Sequence, residues 1–61
     1  MPKITIEWIE GRSQEQKRKL KDIITQAFID VAKVSPEHVW IVFQDVKRSD
    51  WAIGGKFMNE P

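Results

Sequence analysis

Pro2 is the residue of this 61-residue chain that offers the least common chemistry. If Met1 is removed, Pro2 becomes the chain terminus and carries a secondary amine, a base that no internal proline has. An ordinary terminal amine has a pKa of ~8, and a poorly solvated pocket or a nearby positive charge lowers it. A neutral amine accepts a proton, and with carbonyl compounds a proline forms an iminium. The position therefore permits a role in proton transfer, and the alternative is that Met1-Pro2 is only a common, well-processed start of a chain.

Arg12 is the second candidate, in the polar stretch Glu10-Gly11-Arg12-Ser13. A guanidinium holds a carboxylate through two parallel hydrogen bonds and keeps its charge at physiological pH. It can therefore orient an acidic substrate and stabilise negative charge that develops during proton transfer. A purely structural arginine beside a helix N-terminus opposes the helix dipole, so the position favours a binding role.

A strand must connect these two residues. Polar and apolar side chains alternate from Lys3 to Trp8, which predicts a strand with Ile4, Ile6 and Trp8 on its buried face. Ile9 adds an apolar side chain to the polar face, and this surplus indicates a contact beyond the protomer.

An amphipathic helix of about nineteen residues follows. Ser13 and Gln16 have the spacing of a capping box, so the helix should begin at Gln14. Apolar residues then recur at spacings of three and four and form one stripe. The stripe consists of Leu20, Ile23, Ile24, Ala27, Phe28 and Val31. Ile29 points nearly opposite the stripe, as an exposed residue or an interface contact. Ser35-Pro36 cannot continue the helix.

A second strand is predicted from His38 to Val46, where both faces are apolar between Val39 and Phe43. After a polar turn, Gly54-Gly55 forms a second turn, and the residues from Lys56 to Pro61 form a short edge strand or an arm. Residues 1–61 are thus predicted to be one α/β domain. Its architecture is a single βαβ unit with parallel strands, an amphipathic crossover helix and a short C-terminal hairpin or arm.

This architecture leaves one face of the sheet open. One helix covers only one face, and the chain is too short to bury a large core. With no cysteine, neither disulfides nor thiolate zinc ligands can add stability. We therefore expect an obligate oligomer in which another chain covers the second face, with Trp8 or Trp40 as candidates for the contact.

Composition excludes several classes of function. Ten Lys and Arg against nine Asp and Glu argue against general attraction to nucleic acid or membranes. A single histidine cannot build a metal site. The chain has neither an apolar run long enough for a transmembrane helix nor the apolar block of a signal peptide, so a cytoplasmic location is expected.

The motifs together resemble the 4-oxalocrotonate tautomerase family. The resemblance rests on Met1-Pro2, on Glu10-Gly11-Arg12-Ser13-Gln14-Glu15-Gln16-Lys17 and on Ile53-Gly54-Gly55, and in length and element order it covers nearly the whole chain. It implies a hexamer of three dimers that needs no cofactor. It also implies that the terminal Pro2 moves a proton between the enol and keto forms of small 2-oxo acids, while Arg12 binds the substrate carboxylate.

Trp40 departs from the family pattern. It aligns with a second arginine that, in the best-known members, reaches into a neighbouring subunit's site and polarises the substrate oxygen. An indole can stack on a flat substrate or donate one N–H, but it brings no charge. Three substitutes remain open: Lys33, Lys47 or Arg48 enters the site, a different chain supplies an arginine, or the substrate carries only one carboxylate.

Three other residues complete the predicted pocket. By the resemblance, Trp51 takes the place of an aromatic residue beside the proline and keeps water out. Ile9 and Ile53 are expected to line the same pocket, and the Ile53 backbone N–H is a candidate oxyanion donor. Core packing is the alternative role for Trp51.

Two alternatives to the tautomerase function stay open. One is hydration or dehalogenation of haloacrylate-like acids, with a protonated Pro2 as the acid, although no carboxylate is evidently placed to activate water. The other is a non-catalytic assembly module, or one subunit of a hetero-oligomer, in which Trp40 marks lost chemistry.

Overall fold

The computed structural model describes the whole chain, from residue 1 to residue 61. It contains four strands, one α-helix and two short 3-10 turns. In chain order these are β1 (Lys3–Ile9), α1 (Gln14–Ala32), a 3-10 turn (Pro36–His38), β2 (Trp40–Val46), a second 3-10 turn (Arg48–Asp50), β3 (Ala52–Ile53) and β4 (Lys56–Phe57). This order confirms the predicted βαβ unit with a C-terminal hairpin.

Strands β1 and β2 are parallel, and their register pairs every residue of β1 with one of β2. Ile4, Ile6 and Trp8 lie on the face that α1 covers. The evidence is an ion pair between Lys17 of the helix and Asp45, which is the register partner of Trp8. The Trp8 ring stacks on Phe43 of β2 with ring centroids 5.5 Å apart. This stack lies on the face of the sheet that the helix covers.

The start of α1 confirms the predicted capping box. The Ser13 hydroxyl accepts a hydrogen bond from the Gln16 backbone N–H at 3.1 Å, and the Gln16 side-chain oxygen accepts one from the Ser13 N–H at 2.9 Å. The nineteen-residue length is also as expected. The helix ends at Ala32, ahead of Ser35-Pro36, because Lys33 adopts the left-handed conformation with φ 59°.

The predicted apolar stripe of α1 is only partly covered within the protomer. Leu20, Ile24 and Phe28 are half-buried, whereas Ile23 and Val31 are 66% and 84% exposed. Ile29, expected on the outer side, is half-buried. Neighbouring strands lie only about 5 Å apart, so a two-stranded sheet covers less than the full width of the stripe.

The segments around β2 also differ from the prediction in detail. The strand begins at Trp40 rather than His38, since Pro36–His38 turns as a 3-10 helix and the Val39 N–H donates to the Pro36 carbonyl at 3.0 Å. Beyond β2, the hairpin of β3 and β4 turns at Gly54 and Gly55. Their φ angles of 61° and 83° are the positive pair that a tight two-residue hairpin turn requires.

The protomer has no closed core of its own. None of its residues is fully buried, and its radius of gyration is 15.0 Å. A compact domain of this length would have a radius of gyration of about 10.5 Å. Trp40 and Val42, on the face of the sheet away from α1, are 52% and 41% exposed. Trp8 packs under the helix, so of the two tryptophans proposed for the open face only Trp40 lies there.

Candidate functional site

Pro2 lies where both parallel strands begin. Its carbonyl accepts a hydrogen bond from the Trp40 backbone N–H at 2.9 Å, and Lys3 is the register partner of Trp40. The Trp40 indole N–H donates to the carbonyl of Glu37 at 3.3 Å. Met1 is 76% exposed, so the bond that its removal would break lies at the surface. Pro2 and Trp40 thus form one cluster, here called the proline end.

Arg12 lies where the same strands finish. The Glu10 N–H donates to the Val46 carbonyl at 2.9 Å, which continues the pairing beyond β1, and Gly11 then turns the chain with φ 127°. Glycine is favoured at this angle because a side chain would strain the backbone. The turn places Arg12 beside the end of the sheet, and its guanidinium carbon lies 5.6 Å from the centre of the Trp8 ring.

A polar cavity of about 300 Å³ opens at this second location, here called the arginine end. It is lined by Ile9, Glu10, Gly11, Arg12 and Arg48. Arg48 belongs to the 3-10 turn after β2 and reaches the cavity because β2 finishes beside β1. Of the three basic residues proposed to substitute for the missing arginine, Arg48 is the one that lines a cavity with Arg12.

Trp51 and Ile53 follow β2 in the chain, after β2 has finished at the arginine end. The Trp51 N–H donates to the Arg48 carbonyl at 3.3 Å, and the Trp51 carbonyl accepts from the Met58 N–H at 2.9 Å. Trp51 is half-buried, whereas Ile53 is 66% exposed beside the hairpin turn. Neither residue lines the polar cavity of the protomer.

The structure therefore separates the predicted site residues into two groups. The proline end holds Pro2 and Trp40, and the arginine end holds Ile9 and Arg12, with Trp51 and Ile53 following on the chain. With a rise of about 3.3 Å per residue, β1 keeps Pro2 about 23 Å from Ile9. Parallel strands begin together and finish together, so no single protomer joins the two groups.

A hydrogen-bonded network that the sequence analysis missed supports Arg12. Asp45 accepts from the Trp8 indole N–H at 2.6 Å and from the Lys17 ammonium at 2.7 Å. The bond from Lys17, and after it the bond from Trp8, lowers the pKa of the Asp45 carboxyl below its usual 3.8. The network holds the indole on which the Arg12 guanidinium lies. The sequence carries no local signal of this network, because the parallel register of the folded sheet sets Trp8 opposite Asp45.

The charged groups of the structure form no metal site. No three histidine or carboxylate side chains come together. His38 is exposed at the end of a 3-10 turn. No helix of the structure is both long enough and apolar enough to cross a membrane. The two ends hold a proline, two arginines and exposed apolar surface.

Known proteins share both this fold and this arrangement of elements. The family described as "Tautomerase enzyme" matches residues 2–60. The 2-hydroxymuconate tautomerase of Bacillus subtilis is 30% identical, over 98% of this chain and 97% of its own. A crystal structure of a 4-oxalocrotonate tautomerase homologue superposes with a TM-score of 0.93 at 28% identity, covering 100% of this chain and 97% of the other.

A further solved structure bears on assembly. The heterohexameric 4-oxalocrotonate tautomerase of Chloroflexus aurantiacus is 33% identical, covers 98% of this chain and 97% of its own, and superposes with a TM-score of 0.83. The match to the family runs through both the proline end and the arginine end. With its βαβ fold, the chain therefore belongs to the tautomerase family of enzymes, among the relatives of 4-oxalocrotonate tautomerase.

Proposed function

We propose that this protein is a cofactor-independent tautomerase of small 2-oxo acids and their enols. Pro2, after removal of Met1, moves the proton, and Arg12 binds the substrate carboxylate. One observation carries the proposal: a proline and an arginine stand at opposite, accessible ends of one parallel strand pair that carries the family's fold. We assign the protein to the cytoplasm, which a chain without cysteine suits.

In the proposed step, the amine of Pro2 takes a proton from the enol oxygen and gives a proton to the neighbouring carbon. The neutral amine of Pro2 takes the proton of the enol hydroxyl, and the oxygen's electron pair forms the carbonyl bond. The electrons of the carbon–carbon double bond then take the proton from the prolinium, so the amine is restored and no co-reactant is consumed. Pro2 is half-buried, and the hydrogen bond from the Trp40 backbone N–H to its carbonyl fixes it at the start of the sheet.

Arg12 acts on charge rather than on the proton. Its guanidinium holds the substrate carboxylate and stabilises the negative charge that spreads toward it while the enol loses its proton. The cation–π contact with Trp8 restricts the side chain before the substrate arrives. An orientation that is already in place reduces the entropy lost on binding.

A second copy of the chain completes the proposed site. Pro2 of one protomer approaches Arg12 of another when the two strand pairs run in opposite directions, and a two-fold axis then produces two equivalent sites. The exposed apolar surface around Trp40 and Val42 supplies a face for such contacts. We propose a homohexamer, in keeping with the oligomeric relatives.

The test is complementation between two impaired variants. Pro2→Ala should lower kcat/KM by roughly 10² to 10⁴-fold. Arg12→Gln should lower it by roughly 10 to 100-fold through the lost charged hydrogen bonds. Equal amounts of the two chains are then unfolded together and refolded. A site that takes Pro2 from one chain and Arg12 from another is intact in about a quarter of random pairings.

The readout is the ultraviolet signal of enol-to-keto conversion, with phenylenolpyruvate and 2-hydroxymuconate as substrates. Intact mass must first show that Met1 is absent. Recovery of about a quarter of the wild-type rate supports a site shared between copies. No recovery in a correctly assembled mixture contradicts the shared site, and full activity of Pro2→Ala contradicts the mechanism.

A further inference from the structure

Two of the chain's three arginines face one cavity. Arg12 and Arg48 line the depression at the arginine end, and its remaining lining is Ile9, Glu10 and Gly11. Its volume of about 300 Å³ reaches the lower limit of typical small-molecule sites. The two arginines come from separate loops, one after β1 and one after β2. The fold therefore brings together positive charges that are 36 positions apart in sequence.

Neither guanidinium is neutralised within the protomer. The third arginine, Arg18, pairs with Glu15 at 2.7 Å. Lys17 and Lys21 likewise pair with aspartates. Arg12 and Arg48 form no ion pair, although Glu10 lines the same cavity. Two positive charges at one cavity repel one another unless an anion lies between them, so the cavity is suited to a negatively charged ligand.

We propose that Arg12 and Arg48 form one carboxylate-binding site, and that Arg48 is a substrate-binding residue of this tautomerase. The catalytic part of this inference rests on the proposed function. A carboxylate has two oxygens with about four lone-pair positions, enough to accept from both guanidinium forks at once. A phosphate would satisfy the same donors, but the tautomerase relatives favour an organic acid.

With Arg48 beside Arg12, the arginine end becomes the main place where the protein binds the negative charge of its substrate. Trp40 leaves the proline end without an arginine, so binding of the substrate's negative charge is concentrated at the arginine end. Two arginines then bind a single carboxylate, in place of the two separately placed arginines of the family pattern. Substrate affinity should accordingly depend on Arg48 nearly as strongly as on Arg12, and substrates without a carboxylate should not sense Arg48 at all.

Binding is tested apart from turnover in the Pro2→Ala background, which keeps the arginine end intact. The probe is cis,cis-muconate, a dicarboxylate without an enol, and the signal is tryptophan fluorescence, since Trp8 lies beneath Arg12. Adding Arg48→Gln should weaken the Kd by roughly 10 to 100-fold. The matched control is Lys47→Gln, which removes the same charge one position away and outside the cavity.

Several outcomes of this titration decide the proposal. An unchanged Kd in Arg48→Gln overturns it, and so does an equal loss in Lys47→Gln, because general charge would then explain the binding. Arg48→Lys should recover only part of the affinity, since an ammonium lacks the planar fork. Arg48 is exposed and its side chain donates no hydrogen bond in the protomer, so unchanged sedimentation and circular dichroism are expected.

Kinetics in the background with Pro2 present separate this proposal from the proposed function. Arg48→Gln should raise KM for phenylenolpyruvate roughly 10 to 100-fold and leave kcat within about threefold, as expected when binding alone is lost. Turnover with an unchanged KM overturns the Arg48 site and leaves the tautomerase function standing. Muconate binding that depends on Arg48 in a protein without turnover supports the site and counts against the function.

Discussion

Val42→Lys is the sharpest test of how this protein completes its core. Val42 lies near the middle of β2, opposite Thr5 of β1, on the face that α1 does not cover. In the protomer it is 41% exposed. If a second copy covers this face, the substitution places an ammonium group in an apolar contact. If the face is exposed to water, the same substitution is nearly harmless.

The structure sets the size of the expected effect. Full burial of a valine side chain is worth about 1.5 to 3 kcal/mol, so the 41% still exposed corresponds to roughly 0.6 to 1.2 kcal/mol per protomer. Desolvating the new ammonium adds several kcal/mol, about the whole stability of a small domain. In a hexamer this loss occurs at each copy, so assembly should fail rather than weaken.

Sedimentation velocity and circular dichroism at matched concentrations are the assays. Val42→Lys should sediment as smaller, partly unfolded species, while Val42→Ala should assemble with reduced thermal stability. Gln26→Lys is the control, because it adds the same charge on the exposed, polar side of α1 near Asp22 and Asp30. A Val42→Lys protein with wild-type mass and melting temperature would refute the proposed covering of this face.

Two further changes test local features of the protomer. Ser13→Ala removes the helix cap and should lower stability by about 1 kcal/mol per protomer, measured by urea unfolding, whereas Ser49→Ala, which lacks such a bond, should leave it unchanged. Asp45→Asn tests the network with Lys17. Because the pKa of Asp45 is lowered in the folded state, its stabilisation is complete above pH 3.8 and is lost as the pH falls through the lower folded value. Thermal unfolding should therefore show a steeper acid loss in the wild type than in Asp45→Asn, and equal slopes would contradict the assigned cause.

Features decided within a few residues could be predicted from the sequence. The capping box of Ser13 and Gln16 depends on two side chains three positions apart, and the hairpin at Gly54-Gly55 depends on the backbone freedom of those two residues. The alternation in β1 likewise reports the two faces of one strand. These signals gave the element types and the start of the helix.

Features decided by the width and register of the sheet could not be predicted from the sequence. Ile23 and Val31 have the spacing of core residues, but their exposure depends on how many strands lie beneath the helix. The network at Asp45 requires knowing which residue of β1 lies opposite it. Arg48 was one of three open candidates, because the path of the turn after β2 decides which basic side chain reaches Arg12.

The separation of Pro2 and Arg12 along β1 has a consequence for evolution. In the proposed homo-oligomer one gene encodes both halves of every proposed site, so each substitution is expressed at all positions at once. After gene duplication the two halves become independent: one copy can keep the proline end while the other keeps the arginine end. A βαβ chain of this kind can therefore evolve into two paralogues that each supply one end of a shared site. In such a mixed assembly each end can change separately, which allows new substrates to be accepted.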